Sequence, residues 1–180
     1  NYGFTGPNLR AAGVAYDVRK DRPYYDYETY DFEVPIGEHG DCYDRYLCRM
    51  EEMTQSVGLL RQAMKRLPGG PINVEDPNIS LPSKTDAMSD MESMIHHFKL
   101  ITEGIPAPEG DCYMAIEASK GELGMYVVAE EGSTKPVRWR VRPPSFVNLS
   151  VIPKLATGHL LSDLIMINAS LDIVLGEIDR

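Results

Sequence analysis

The sequence is poor in the features that usually announce chemistry. It has three cysteines, Cys42, Cys48 and Cys112, an odd number with no Cys-x-x-Cys spacing. That argues against a disulfide framework and against the usual zinc or iron–sulfur ligand sets. Reduced, packed thiols are the expected state, as in a cytosol-like compartment. Positive charge is also in deficit. Against 27 Asp and Glu stand 18 Lys and Arg, for a net charge of −9, so no broad phosphate-binding face and no nucleic-acid partner are expected. No apolar run reaches the roughly 20 residues that span a bilayer. The longest, near 160–175, is interrupted by Ser162, Asp163, Asn168, Ser170 and Asp172, so a soluble or peripheral chain is expected. No secretory signal is visible. The opening "NYGFTGPNLR" has neither Met nor leader and reads as cut from something longer. No internal repeat is evident.

Local catalytic signals are equally thin. His96 and His97 are adjacent, and neighbours on a helix point about 100° apart, which makes a shared metal ion a poor reading beside ordinary surface or packing histidines. "GELG", with Gly121 and Gly124, lacks the Lys-Ser/Thr and the helix that a phosphate loop needs, so it reads as a tight turn. No Ser-His-Asp grouping has local support.

What is present is an ordinary globular pattern, 43% hydrophobic and 25% charged in 180 residues, enough for one core or a large piece of a bigger one. Residues 1–40 are rich in Gly, Pro and Tyr, with an extended segment around Tyr30, Phe32 and Val34. Apolar residues at 50, 53, 57, 60, 64 and 67 predict one helix with one buried stripe, capped by Asp41 and stopped by Pro68-Gly69-Gly70. After a proline-rich loop, Ser83 with Asp86 can cap a second helix whose face is Met88, Met91, Ile95 and Phe98, making a helical hairpin. The Met88, Met91 and Met94 stripe reads as core filler or a partner groove. Three strands follow, "CYMAIEA", "LGMYVVAE" and "PVRWRVR". In the last, Val137, Trp139 and Val141 face one way and Arg138, Arg140 and Arg142 the other. That arginine face suits an anion, solvent or a salt-bridged partner. A short segment, 145–155, leads to a last helix from near Gly158, apolar on nearly every side and so expected to be buried. The terminal "SLDIVLGEIDR" stays apolar almost to its last residue, as if tied into something, where most chain ends fray.

Five stretches taken together carry more information: "GPNLRAAGVAYDVRK", "GDCYDRYLCRMEEM", "EASKGELGMYVV", "RWRVRPPSFVNL" and the terminal "GEIDR". From Gly6 to Arg180, in the same order, they resemble the C-terminal part of the D-subunit family of bacterial NADH-quinone oxidoreductases, the 49-kDa subunit family of respiratory complex I. The resemblance implies an α+β fold, a portion of a helical bundle with a small antiparallel sheet over roughly 112–142, like that of hydrogenase large subunits. It also implies that residues 1–180 form a single C-terminal fragment of a longer subunit. Nickel–iron hydrogenases, to which this family is similar, end in Asp-Pro-Cys-x-x-Cys-x-x-His. Laid on that pattern from Asp172, Ile173 replaces the proline, Val174 and Glu177 replace the thiolates, and Arg180 replaces the histidine. Valine cannot bind nickel and a lone carboxylate is a hard ligand, so a hydrogenase-type metalloenzyme is disfavoured and no metal is expected. Glu117, Lys120 and Gly121 occupy the positions of a hydrogenase Glu-x-x-Arg-Gly turn that lies by the metal, with Lys120 in place of the Arg. The plain alternative for Lys120 is a turn residue with a solvated ammonium.

By the same resemblance the former metal cavity, marked by Lys120, Glu177 and Arg180, becomes part of a quinone-binding chamber with Val174 and Leu175 in its apolar wall. Arg180 is expected to anchor the terminus by ion pairing. The family's headgroup ligands, a His and a Tyr, lie in an N-terminal part outside this sequence. The assembled enzyme passes electrons from NADH through FMN and iron–sulfur clusters held by partner subunits to quinone, coupled to proton translocation. This piece is expected to bind no cofactor and to be inactive alone. Its implied partners are other complex I subunits, above all the small iron–sulfur subunit and the C subunit, with quinone as substrate. Its implied place is the cytoplasmic side of the bacterial inner membrane, reached through the assembled complex. A free-standing structural or interaction module is the rival reading.

Overall fold

The computed structural model describes residues 2–179. Along the chain run α1 (Pro7–Ala11), α2 (Val18–Asp21), a 3-10 turn (Tyr27–Thr29), α3 (Cys42–Arg66), α4 (Lys84–Ser89) and α5 (Met91–Thr102). Strands β1 (Gly110–Ala118), β2 (Gly121–Ala129) and β3 (Arg138–Arg142) follow, then α6 (Pro144–Leu149), α7 (Ile152–Ala156), α8 (Leu161–Leu171) and α9 (Leu175–Asp179). The strands form one antiparallel sheet in the order β1-β2-β3, the α+β class expected. The residues group into two compact units. One holds 1–67, 113–125 and 141–180, the other 68–112 and 126–140. Among the described residues, no helix is long and apolar enough to cross a membrane.

In the first unit α3 is the organising element. Asp41 caps it by accepting the Asp44 N–H, and it stops at Arg66 before Pro68, because a proline ring disfavours helical geometry in the residue before it. Asp44 then reaches back, its Oδ2 accepting the N–H groups of Glu38, His39 and Gly40. Those three donors, the His39 N–H foremost, hold the Asp44 carboxyl below its ordinary value against the desolvation that would raise it. A depressed carboxyl contributes stability above its ordinary pKa, about 3.9, and loses it as pH falls below that. Asp44→Ala is therefore expected to speed amide exchange at residues 38–40 at neutral pH. Little difference from wild type should remain near pH 2.

Residues 31–34, expected to be extended, form no strand and lie along α3. Gln62 exchanges two hydrogen bonds with the Asp31 main chain and Gln55 accepts the Glu33 N–H, which buries Phe32. The short helices α1, α2, α6 and α7 lie where the sequence pattern predicted loops and a connecting segment. Segments of four to six residues are too short for an apolar period to show, and proline in the first turn starts three of them.

The expected burial is corrected in three places. The α3 stripe at Met50, Met53, Val57, Leu60, Met64 and Leu67 is exposed, and the buried face carries Asp44, Arg45 and Cys48. Leu160, Leu161 and Ile165, expected inside, are exposed, as is Met166; only Ile167 and Leu171 of α8 are buried. In the second unit the single predicted helix is two, because Asp90 ends α4 in extended geometry and its side chain caps α5 at Ser93. Met88, Met91, Met94 and Phe98 are exposed. The apolar faces were read correctly as faces, but this chain does not cover them. On β3, Arg138, Trp139 and Arg140 are all exposed. Of its three arginines only Arg142 is half-buried, donating to Thr5 Oγ1, the Glu122 carbonyl and the Gly3 carbonyl.

The buried set is accordingly polar as much as apolar. Ala11, Val18, Phe32, Cys48, Val151, Ile167 and Leu171 share the interior with Thr5, Asn8, Arg10, Asp17, Asp44, Arg45, Glu122, Ser145 and Asn148. Burying so many polar groups is tolerable only where they are hydrogen-bonded, and their bonds define the site.

Candidate functional site

The first part of the site is the C-terminal end of α8. A helix leaves its last carbonyls without intrahelical partners and favours positive charge there, yet α8 has no basic residue in its last turn. Neighbours supply it. Asn8 Nδ2 donates to the Leu171 carbonyl at 3.1 Å, and Arg49 donates to the same oxygen at 3.3 Å and to Asn8 Oδ1 at 3.1 Å. Arg45 donates to Ser170 Oγ at 3.0 Å. Beyond the helix, Asp172 takes left-handed geometry, φ 54°, which puts its carboxylate between the Lys120 ammonium, a direct hydrogen-bonded pair, and Arg49 Nε at 3.4 Å. Lys120 sits in the β1–β2 turn, and its side chain is only 19% exposed. The reading as a solvated turn lysine is thus corrected: the ammonium is paired.

Behind Lys120, at the end of β1, lies a closed charge cluster. Arg10 donates to Glu52 (Nε to Oε1, 2.8 Å) and to Glu117 (Nη1 to Oε1, 2.9 Å), with Asp17 at 3.5 Å. Arg19 grips both Asp17 oxygens at 2.9 and 2.6 Å. Burial pushes the Glu117 carboxyl up, and Asp17 adds to this; Arg10 draws it back without cancelling the rise. For Asp17, burial also raises the carboxyl, but the Arg19 fork outweighs it and the net direction is down. Arg10, Arg19, Glu52 and Glu117 line a recess of about 430 Å³ together with Arg49, Lys120 and Asp172. Four lining cations, Arg10, Arg19, Arg49 and Lys120, stand against three lining carboxylates, Glu52, Glu117 and Asp172, and Asp17, outside the lining but bonded to Arg19, supplies the fourth negative charge.

The second part is the terminal turn. Two fully buried polar residues of α6, Ser145 and Asn148, lie one turn apart and so on one face. Asn148 Nδ2 donates to the Lys120 carbonyl at 3.3 Å, and its Oδ1 is buried without a hydrogen-bond partner. Ser145 Oγ accepts the Val174 N–H at 3.2 Å, and the Ser145 N–H donates to Glu177 Oε2 at 3.1 Å. The terminal segment is tied down as its sequence suggested, by the buried Leu171 side chain and by these polar bonds, and not by Val174 or Leu175. Val174 is 39% and Leu175 75% exposed.

Of the positions singled out from sequence, Lys120, Glu177 and Val174 are thus joined through α6 and Asp172. Leu175 opens α9 with its side chain outward, and Arg180 lies outside the described residues. Arg10, Asp17, Glu52, Ser145 and Asn148 were missed. The only local hint was a charged Arg10 inside the small, apolar "NLRAAG". Among the described residues no group of three or more His, Cys, Asp and Glu is placed to hold a metal ion. An apolar groove of about 610 Å³ between α3 and α8, lined by Tyr43, Tyr46, Met50, Met53, Met166 and Ala169, shares Arg49, Met53 and Asp172 with the charged recess.

The chain matches, over residues 1–180, the family described as "Respiratory-chain NADH dehydrogenase, 49 Kd subunit". It is 52% identical over 180 residues to the D subunit of the NADH-quinone oxidoreductase of Wolbachia sp. subsp. Brugia malayi (strain TRS), covering 100% of this chain and 46% of that one. It is 53% identical over the same span to the D subunit of Ehrlichia chaffeensis (strain ATCC CRL-10679 / Arkansas), and 52% identical to that of Geotalea uraniireducens (strain Rf4), again covering 46% of each. The chain therefore spans about half the length of the curated relatives it matches. With a mixed helix-and-sheet fold and a terminal turn locked beside the Lys120–Asp172 pair, it belongs to the 49-kDa subunit family of respiratory-chain NADH dehydrogenases.

Proposed function

We propose that this chain is part of a D-type subunit of NADH-quinone oxidoreductase and contributes a wall of its quinone-binding chamber through Val174 and Leu175. One observation carries the reading. The two apolar side chains are exposed, while the backbone that bears them is pinned on one side by Asp172 with Lys120 and Arg49 and on the other by Ser145. An apolar surface held rigid from behind is what a hydrophobic ligand needs, since binding then does not also have to order the wall. The names of the relatives supply the reaction, electron transfer from NADH to quinone. In this reading FMN and the iron–sulfur clusters belong to partner subunits, and the small iron–sulfur subunit and the C subunit are the nearest partners. The assembled complex works at the cytoplasmic side of the inner membrane and couples the reaction to proton translocation. The exposed faces of α3 and α8 then serve as contact surface within the assembly. Lys120, Glu177 and Arg180 keep the places of a former metal pocket without its ligands.

The test is Val174→Met in the full-length gene, assayed in native membranes after assembly has been checked. Overfilling a packed wall costs about 1–3 kcal/mol, so quinone KM or inhibitor affinity should move roughly tenfold. NADH oxidation by an artificial acceptor upstream of quinone should stay unchanged. Unaltered quinone kinetics and inhibitor sensitivity would make the segment plain packing and overturn the chamber assignment.

A further inference from the structure

We infer that Ser145 is a positioning residue for this chamber wall, acting on quinone affinity through the backbone of Val174; the inference rests on the reading just given. Ser145 is wholly buried and has no route to a ligand of its own. Both of its available polar groups are directed at the terminal turn, Oγ accepting the Val174 N–H at 3.2 Å and its own N–H donating to Glu177 Oε2 at 3.1 Å. One residue therefore holds the turn at two points three residues apart. The turn is also constrained upstream, because Asp172 is paired with Lys120, and Asn148, one helical turn beyond Ser145, holds the carbonyl of that same Lys120. The four-point frame leaves Ile173 and Val174 little freedom, although Val174 and Leu175 are exposed. Removing Oγ deletes the hydrogen bond to the Val174 N–H, while the Ser145 N–H bond to Glu177 survives.

The experiment uses the assembled enzyme in membranes with Ser145→Ala, Val174→Met and the double variant. It measures quinone KM and kcat with NADH, alongside reduction of the artificial acceptor. Loss of one hydrogen bond should raise quinone KM roughly two- to tenfold for Ser145→Ala, with kcat and artificial-acceptor reduction near wild type. Because the hydroxyl acts through Val174, the double variant should show the KM of Val174→Met alone, a non-additive result. Independent, multiplying effects would place the action of Ser145 elsewhere and overturn the inference. So would an unmoved KM in Ser145→Ala alongside a shifted Val174→Met, a result that leaves the chamber reading standing. If Val174→Met itself is silent, the chamber reading falls and takes this inference with it. A Ser145→Ala variant that does not assemble is replaced by amide exchange on the wild-type enzyme. The Val174 N–H should be protected relative to an open amide, and exchange at the open rate would refute the contact.

Discussion

Replacing Arg10 with methionine is expected to cost about 3–5 kcal/mol of folding stability, the range seen when one partner of a buried ion pair is removed. The side chain of Arg10 is 2% exposed and stands among Glu52, Glu117 and Asp17. Methionine preserves most of the volume, so the loss is electrostatic and not a cavity effect. Two of the three carboxylates, Asp17 and Glu117, are nearly inaccessible to water, and Arg19 bonds only Asp17 of the two, reaching Glu117 by the weaker attraction through space. Chemical denaturation of the full-length protein would measure it, and a loss under 1 kcal/mol would show that the cluster is not a coupled network. Adding Glu52→Gln and Glu117→Gln to the variant should recover a large part of the loss, since a neutral set of similar shape leaves no uncompensated charge.

The pH dependence follows with a definite sign. Glu117 has a raised carboxyl, so its contribution is present below the ordinary glutamate pKa, about 4.3, and is lost as pH rises through the folded value. In the Arg10 variant the influence that draws Glu117 down is gone. The defect should then shrink on acidification from neutral pH toward the ordinary range. Asp17 and Glu122 run the other way. Glu122, though raised by burial, is lowered on balance by the Tyr16 and Tyr113 hydroxyls and by Arg22. Their contributions are present above the ordinary carboxyl range and lost as pH falls through their depressed values, so both proteins should weaken together in stronger acid.

The second large effect is expected at Gly121. Its φ is +135°, and a Cβ there would stand 2.6 Å from Thr5 Oγ1 and 3.0 Å from the Thr5 carbonyl carbon. Gly6, with φ +70°, meets it from the other side: its own Cβ would be 2.4 Å from Gly121 Cα. Two backbones cross here with no room for a methyl group, and Thr5 cannot retreat. Its Oγ1 accepts the Glu122 N–H at 2.9 Å and an Arg142 N–H at 3.1 Å. Gly121→Ala combines a backbone region that only glycine adopts easily with overpacking, on the order of 3 kcal/mol or more together. Because Gly121 follows Lys120 directly, the forced shift should also loosen the Lys120–Asp172 pair. Accelerated amide exchange through residues 172–175 would report it. A variant within 1 kcal/mol of wild type, with unchanged exchange there, would refute the close crossing.

How much of this was legible beforehand can be followed residue by residue. The cap at Asp41 and the stop before Pro68 were readable because capping and proline sterics act within a few residues. The three strands were readable from alternation and from the short connections between them. Burial was not. An apolar stripe such as Met50, Met53 and Leu60 shows which side of α3 avoids water. It does not say whether this chain supplies the cover, and here it does not.

The charge network was the least legible part. Arg10, Asp17, Glu52 and Glu117 are spread over more than a hundred positions, and nothing local marks a charge as buried; its partners exist only once α1, α3 and β1 converge. Ser145 was invisible for the same reason, since its role is a pair of hydrogen bonds to residues about thirty positions away. By itself the sequence determined the family, the class of fold, the two ends of α3 and the absence of thiolates in the terminal segment, because each rests on residue identity or on neighbours along the chain. Only the tertiary structure decided that Lys120 is paired, that the chain end is held by polar bonds and that Val174 faces outward, because partners distant in sequence set the burial and pairing of a side chain.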